Sequence, residues 1–440
     1  MPDQLWSKNL PLDEEIHAFT VGDDPVTDLQ LLAFDAEGSA AHARMLGECG
    51  LLPSAEAKSL VRQLAGLKSQ AERGELAITR AQEDAHTALE QALGEAGRKI
   101  HLARSRNDQV QTALRLLMRA RLLDLGAALA NCVAQLLAFV RQNRHAIMPG
   151  YTHMRRAMPS SWGRWSAAIA EGLLEELEQL PALWLRIDRC PLGAAAGFGA
   201  PVAINRERTA DLLGFSRVRQ SPGDVMNSRG RYEQAVAAWI ASASGTIEKA
   251  LWDLLLWSTD EFGFVRLPDA FTTGSSLMPQ KRNPDVLELA RGRCRELRGL
   301  AALLAQLSGG LPSSYHRDQQ LLKAPFLEIL GKAQQLFRIF ARLIPALEID
   351  REKSASACTP EIFAAQEACR LSAEGIPFRD AYAEVAQQIQ DGTFAVNHEK
   401  IPDENPGGEK LEVELAERAD WIRERRDFLA QTTARLFAWP

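Results

Sequence analysis

Cysteine is scarce and scattered: six residues in 440, at 49, 132, 190, 294, 358 and 369, with no C-x-x-C pair among them. That spacing supports neither a disulfide frame nor a zinc site. Several lie inside apolar helical patterns, so buried, reduced thiols are the expectation. Blocks of one charge sign are also missing. The 51 Lys and Arg are interspersed with 57 Asp and Glu, a net charge of −6, which argues against a general nucleic-acid or membrane-surface binder. It still leaves room for a locally positive cleft that gathers an anionic substrate. No apolar run reaches membrane-spanning length without a charge, and the first residues lack the basic-then-apolar order of a secretory signal. The cytoplasm is therefore the expected location. Finally, the alternating pattern of strands is almost absent, and the class read from the chain is all-α.

What is present is helical periodicity. It runs over 28–50, 53–73 (opened by Ser54 as a cap), 80–93, 107–144, 160–190, 229–261, 284–307 and 323–346. The stretch 107–144 carries apolar residues on more than one face, so it must be covered from several sides, in a bundle completed by other subunits. The chain is too long for one ordinary core. Three units are expected: 1–104, helical behind an irregular arm of about 30 residues; 105–350, the long-helix bundle with a mobile loop at 272–285; and 351–440, a small unit in which helices shorten. The small-residue run 192–201 is not G-x-G-x-x-G and follows no strand, so it reads as close backbone packing rather than a dinucleotide site.

Chemistry concentrates in separated stretches. Thr273-Gly274-Ser275-Ser276-Leu277-Met278-Pro279-Gln280-Lys281-Arg282-Asn283-Pro284-Asp285 cannot be one helix, because glycine and two prolines interrupt it. It presents two hydroxyls, a cation and an amide, with Glu288 on the helix that follows. His101 to Gln109 precedes the longest helix. There Ser105 or Asn107 serves as a cap and Arg106 and Asp108 as surface ions, or the donors form a carboxylate-binding corner. Thr152-His153 lies where a helix ends, and a lone histidine is more often structural than catalytic. Tyr315 to Lys323 reads by itself as a solvated helix start. So does the polar group Glu83, Asp84 and His86, with acids set against a helix dipole.

Taken together, these stretches resemble the fumarase/aspartase superfamily, and within it the argininosuccinate lyases. The Gly274-Ser275-Ser276…Met278-Pro279…Lys281…Asn283 loop is the most specific mark. Ser105-Arg106-Asn107-Asp108-Gln109, Gly150-Tyr151-Thr152-His153, Tyr315…Gln320…Lys323 and Ile376-Pro377-Phe378-Arg379-Asp380-Ala381 add to it. The resemblance spans about 28 to 385. It departs at Trp6, followed by Ser7-Lys8-Asn9 where the family has Gly-Gly-Arg-Phe. Asp24 stands in the place of a substrate-binding serine, Leu102-Ala103 replace Thr-Gly, and Arg155 and Met158 replace two glutamines.

The resemblance implies three largely helical domains, a homotetramer whose active sites are shared between subunits, and β-elimination of argininosuccinate to arginine and fumarate without metal or organic cofactor. It casts Ser275 as the base, Lys281 and Asn283 as stabilisers of the developing charge, and His153 with Glu288 as a charge-relay pair. Ser105, Asn107 and Thr152 are cast as ligands of the succinyl carboxylates, Arg106 as a further ligand or a brace of that corner, and Ser276 as a substrate-binding residue. Asp84, Tyr315, Gln320, Lys323 and, more weakly, Arg229 are cast as ligands of the arginine part. Two alternatives stay open: another fumarate-releasing lyase of the superfamily, and a non-catalytic, crystallin-like reuse of the scaffold.

Overall fold

The computed structural model describes residues 13–395 and 408–439. The described residues begin with α1 (Glu14–Val21), α2 (Asp24–Thr27), α3 (Leu32–Glu48), α4 (Ser54–Glu72), α5 (Ala85–Ala92) and α6 (Gly97–Ile100). The long helices follow: α7 (Arg106–Asn143), α8 (Trp162–Glu178), α9 (Leu180–Ile187), α10 (Arg206–Leu212), α11 (Pro222–Asn227), α12 (Arg231–Trp257), α13 (Asp285–Leu307) and α14 (Lys323–Leu343). Last come α15 (Arg351–Ser356), α16 (Ala364–Ala373), α17 (Phe378–Gln390) and α18 (Gly408–Phe437). The fold is helical, as its periodicity implies.

Strands are few but placed where they matter. β1 (Ile147–Thr152) and β2 (Arg155–Ser161) form an antiparallel hairpin in a stretch read as helix end. The pairs β3 (Arg189–Cys190) with β4 (Arg217–Val218) and β5 (Val265–Arg266) with β6 (Glu348–Ile349) are two residues long. β2 also shortens the helix expected from 160. A new helix, α9, then begins at Leu180 with Pro181 in its first turn, rather than α8 continuing.

The core explains the greasy faces of α7. Leu117, Leu122, Leu129, Val133 and Leu136 are fully buried, and α7 as a whole packs against α8, α14 and α3, with α18 closing over a further side. An 18-residue window of α7 is apolar enough to cross a membrane by length and composition, yet most of it is buried in this fold, as a core helix requires. Further along, the shortening of helices after 351 holds for α15 to α17 but not for α18, which has 30 residues and packs on α7, α8 and α3.

Other expectations are corrected locally. The arm is not irregular from residue 14 onward: α1 and α2 are helical, and Asp13 caps α1 by accepting the Ile16 N–H at 2.9 Å. The motif at Trp6 lies outside the described residues. Pro53, not Ser54, stands at the cap position of α4, which has no side-chain cap. All six cysteines are free; Cys132, Cys190 and Cys294 are buried, but Cys49 and Cys369 are exposed and Cys358 is half-buried. Burial pushes the Cys190 and Cys294 thiols up to about 12, so they pack as apolar groups.

Candidate active site

The sequence-flagged residues fall into two sets at opposite ends of the bundle. The first set gathers where α7 begins. Ser105 caps that helix, its Oγ accepting the Asn107 N–H at 3.3 Å, while Asp108 accepts the Ser105 N–H at 2.9 Å. Asp108 is not a surface ion. Its second oxygen accepts the N–H groups of Gly193 (2.9 Å) and Ala195 (2.7 Å), which is why the 192–201 connection packs so closely here. Burial pushes the Asp108 carboxyl up to about 6 in spite of those donors.

Arg106 sits between acids. Its guanidinium lies 3.1 Å from Glu83 and 3.3 Å from Asp84, and donates to Thr87 Oγ1 at 3.2 Å. Asp84 in turn caps α5 by accepting the Thr87 N–H at 2.9 Å. Burial raises the Asp84 pKa, but His86, Arg106 and the Thr87 donors outweigh it and hold the carboxyl below its usual range. The solvated-start reading of this group is overturned, for Glu83 and His86 are buried. His86 Nδ1 lies 2.6 Å from Asp35; burial opposes its charge, yet that carboxylate raises its pKa.

The Tyr315–Lys323 stretch reaches the same corner. Residues Arg317–Leu322 form a 3-10 turn, and Lys323 is buried rather than solvated. Its ammonium lies 2.6 Å from Asp28 and 2.8 Å from Asp24. Asp28 also accepts the Ala85 N–H at 3.3 Å, so it ties Lys323 to the helix that Asp84 caps. Gln320 donates to the carbonyls of Thr20 and Val21, at 3.2 and 3.1 Å. Arg229 is buried, its guanidinium 5.8 Å from the Tyr315 ring. A cavity of about 380 Å3 opens here, lined by Phe19, Thr20, Asp24, Thr27, Arg317 and Gln320.

The second set lies at the far end of α7. The β1–β2 hairpin turns at His153-Met154, whose φ values of 51° and 61° are those of a two-residue turn with both central residues left-handed. Histidine tolerates that region better than most side chains. Thr152 and His153 are exposed at the tip. Tyr151, behind them, packs edge-on against Phe262 at 5.8 Å, which joins the hairpin to the segment leading into the Ser-Ser loop.

That loop has a sealed neck. Thr273 and Asn283 exchange backbone hydrogen bonds of 3.1 and 2.8 Å, and the Asn283 amide donates to the Gly274 carbonyl at 3.4 Å. Inside the neck, Ser275 Oγ accepts the N–H groups of Leu277 (3.2 Å) and Met278 (3.0 Å). Ser276 and Lys281 project outward, and Glu288 is exposed near the start of α13.

The separation of the sets follows from helix length. α7 has 38 residues, about 57 Å at a rise of roughly 1.5 Å per residue. It runs from Ser105 at one end towards the hairpin at the other. α13 has 23 residues, about 35 Å by the same rise. It leads from the loop back to Ser308, whose Cβ crowds Gly230 at the start of α12. Among the described residues, none of the hydrogen bonds or ion pairs joins one set to the other. The fold thus unites Asp84, Ser105, Arg106, Asn107, Arg229, Tyr315, Gln320 and Lys323. It keeps Thr152, His153, Ser275, Ser276, Lys281, Asn283 and Glu288 apart from them.

Sequence reasoning overlooked Asp28, His17 (Nε2 3.0 Å from Glu83) and Asp35. An acid or histidine in a helix start carries no local sign that it will be buried against a partner dozens to hundreds of residues away.

Comparison with known proteins places the chain in a family. A family model described as "Lyase" matches residues 8–299. The argininosuccinate lyase of Sorangium cellulosum is 44% identical over 393 residues, covering 88% of this chain and 91% of its own. That of Thermotoga neapolitana is 38% identical over 392 residues, covering 88% and 98%. Two solved structures share the fold: EDDS lyase in complex with formate, at a TM-score of 0.78 and 23% identity over 96% of this chain and 94% of that one; and the class II fumarase of Schistosoma mansoni, at 0.75 and 16% over 94% and 95%.

Proposed function

Because the chain belongs to the argininosuccinate lyase family, we propose that it catalyses the reversible β-elimination of argininosuccinate to arginine and fumarate, the last step of arginine biosynthesis. The difficult event is removal of a proton from the carbon beside a carboxylate, because the resulting aci-carboxylate concentrates negative charge. A base must be positioned for it, and donors must meet that charge as it forms. Ser275 is the base in this reading.

The observation that carries the assignment is the setting of Ser275 Oγ, which already faces two backbone N–H donors at 3.0 and 3.2 Å. A free serine hydroxyl is far too weak an acid to serve as an alkoxide. Aligned N–H groups in a site that loses its water stabilise the anion without reorganising. Lys281 and Asn283 add a cation and an amide for the carboxylate that receives the charge. As the double bond forms, the carbon–nitrogen bond breaks, and the leaving guanidino nitrogen takes a proton. His153, paired with Glu288 across an assembled site, is the donor, directly or through water.

Thr152, Ser105 and Asn107 hold the succinyl carboxylates, with Arg106 and Ser276 bracing them. Asp84, Tyr315, Gln320, Lys323 and Arg229 hold the arginine portion. We assign a cytoplasmic homotetramer in which each site draws its stretches from three chains. The roughly 57 Å length of α7 supports that arrangement, since one protomer cannot bring both ends to one substrate.

The test is fumarate release from argininosuccinate, followed by absorbance. The wild type is expected to turn over, and Ser275→Ala to lose about a thousandfold or more while remaining folded and oligomeric. Near-normal activity in that variant would remove serine from the base role. A wild type that releases no fumarate would end the whole reading.

A further inference from the structure

Lys323 carries two carboxylates where charge balance needs one. The pair is held unequally. Asp28 is 1% exposed and is fixed by the Ala85 N–H as well as by Lys323. Asp24 instead opens the four-residue α2, just after Gly22 with its left-handed φ of 57°, and is one of the residues lining the 380 Å3 cavity. One acid is part of the frame; the other stands at the edge of a space large enough for a ligand.

We propose that Asp24 is an internal carboxylate that occupies, at Lys323, the place of the substrate's arginine-side α-carboxylate and gives up that ammonium when substrate binds. This rests on the reading of Lys323 as a substrate ligand. The charged groups facing Asp24 are Lys323 on α14, Asp28 on the turn after α2, and Arg229 ahead of α12. Asp23, Arg317 and Asp318 also line the cavity. A ligand carboxylate that entered with Asp24 still ionised would place a third anion on one ammonium, and like charges in contact are strongly disfavoured. Asp24 therefore takes up a proton as it yields Lys323. Burial already works in that direction, pushing its carboxyl up to about 6 against the pull of Lys323. A simple carboxylate gains too little elsewhere to drive the exchange. An amino acid that also meets Gln320, Tyr315 and Arg229 gains more, so Asp24 sets a threshold for what binds. It is a positioning residue rather than a catalytic one.

The test is calorimetric titration of L-arginine into the intact wild-type protein and into Asp24→Asn and Asp24→Ser. Each is measured from pH 8 down to 6, in two buffers that differ in ionisation heat. Asp28 still neutralises Lys323 in both variants, and a thermal melt checks that they are folded. Expected is about tenfold tighter arginine binding in both variants at pH 8. Wild-type binding is expected to take up a proton and to strengthen as the pH falls, with neither effect in the variants. KM for argininosuccinate should fall by a similar factor with kcat within about twofold. Unchanged or weaker binding in both variants overturns the proposal, as does a wild-type proton uptake that persists in Asp24→Asn. If arginine binds none of the three, Lys323 is not its ligand and the proposal fails. Fumarate release measured on the same wild-type sample then shows whether the lyase reading stands without it.

Discussion

Ser275→Ala and Asn107→Asp strike opposite ends of the molecule, and mixing the two variants tests how a site is built. Asn107 lies in the first turn of α7, about 57 Å of helix away from the hairpin end. The Ser-Ser loop belongs to that far end, since it follows α12, whose last residue Trp257 packs 5.1 Å from Trp162 at the hairpin base. No amino-acid-sized substrate spans such a distance within one protomer. Asn107→Asp suits the positive end of α7 and should leave the helix stable, but it sets a charge against a substrate carboxylate. Losing a hydrogen bond to a charged group costs about 2–3 kcal/mol, so this variant alone should keep only a few per cent of activity. In randomly mixed oligomers a site is intact when it draws residue 275 from one kind of chain and residue 107 from the other, about one site in four. Were both residues supplied by the same chain, every site would carry a lesion and none would recover. The assay is fumarate release by hybrids isolated through two different tags after co-expression. About a quarter of wild-type activity is expected. Hybrids no better than their parents would refute the shared-site reasoning.

Three further outcomes follow from single contacts. His153→Asn keeps a residue that tolerates the left-handed turn yet removes the titrating ring, so kcat should fall by about a hundredfold; a loss of only a few-fold would demote the histidine. Arg119 is buried, 3.0 Å from Asp188 and donating to the carbonyls of Gly214 and Leu213 at 2.8 and 2.7 Å. Arg119→Met should cost about 3–5 kcal/mol in urea unfolding by stranding Asp188. Asp188→Asn added to it should recover part of the loss, and a cost below about 1 kcal/mol would contradict the burial argument. The third concerns pH. His86 has its folded pKa raised: burial opposes the charge, and Asp35 overcomes it. Its stabilising contribution is thus complete below the unfolded value of about 6.5 and is lost as the pH rises through the folded value. The difference in melting temperature between wild type and His86→Gln should be largest near pH 6 and shrink on the alkaline side. A difference that grows with pH would reverse the assignment.

The chain taken alone determined a good deal. Helical periodicity located α3, α4, α7, α12, α13 and α14 to within a few residues, because each buries a stripe set by neighbours three and four positions apart. The chemically dense stretches were equally legible, since glycine, proline and clustered polar groups mark a loop before any packing is known. The hairpin was not legible. His153-Met154 lacks the glycine that usually announces a tight two-residue turn, and only the pairing of β1 with β2 imposes its backbone. Nor was the 30-residue α18, whose stripe makes sense only against α7 and α8.

Tertiary structure alone decided which of these stretches meet. Asp24 and Asp28 find Lys323 across about three hundred residues, whereas Ser105 and His153, fewer than fifty apart in sequence, are held at opposite ends by a rigid rod. A local pattern reports the next turn of its own helix. It does not report where that helix points, and direction is what divides the candidate site between the two ends of the bundle.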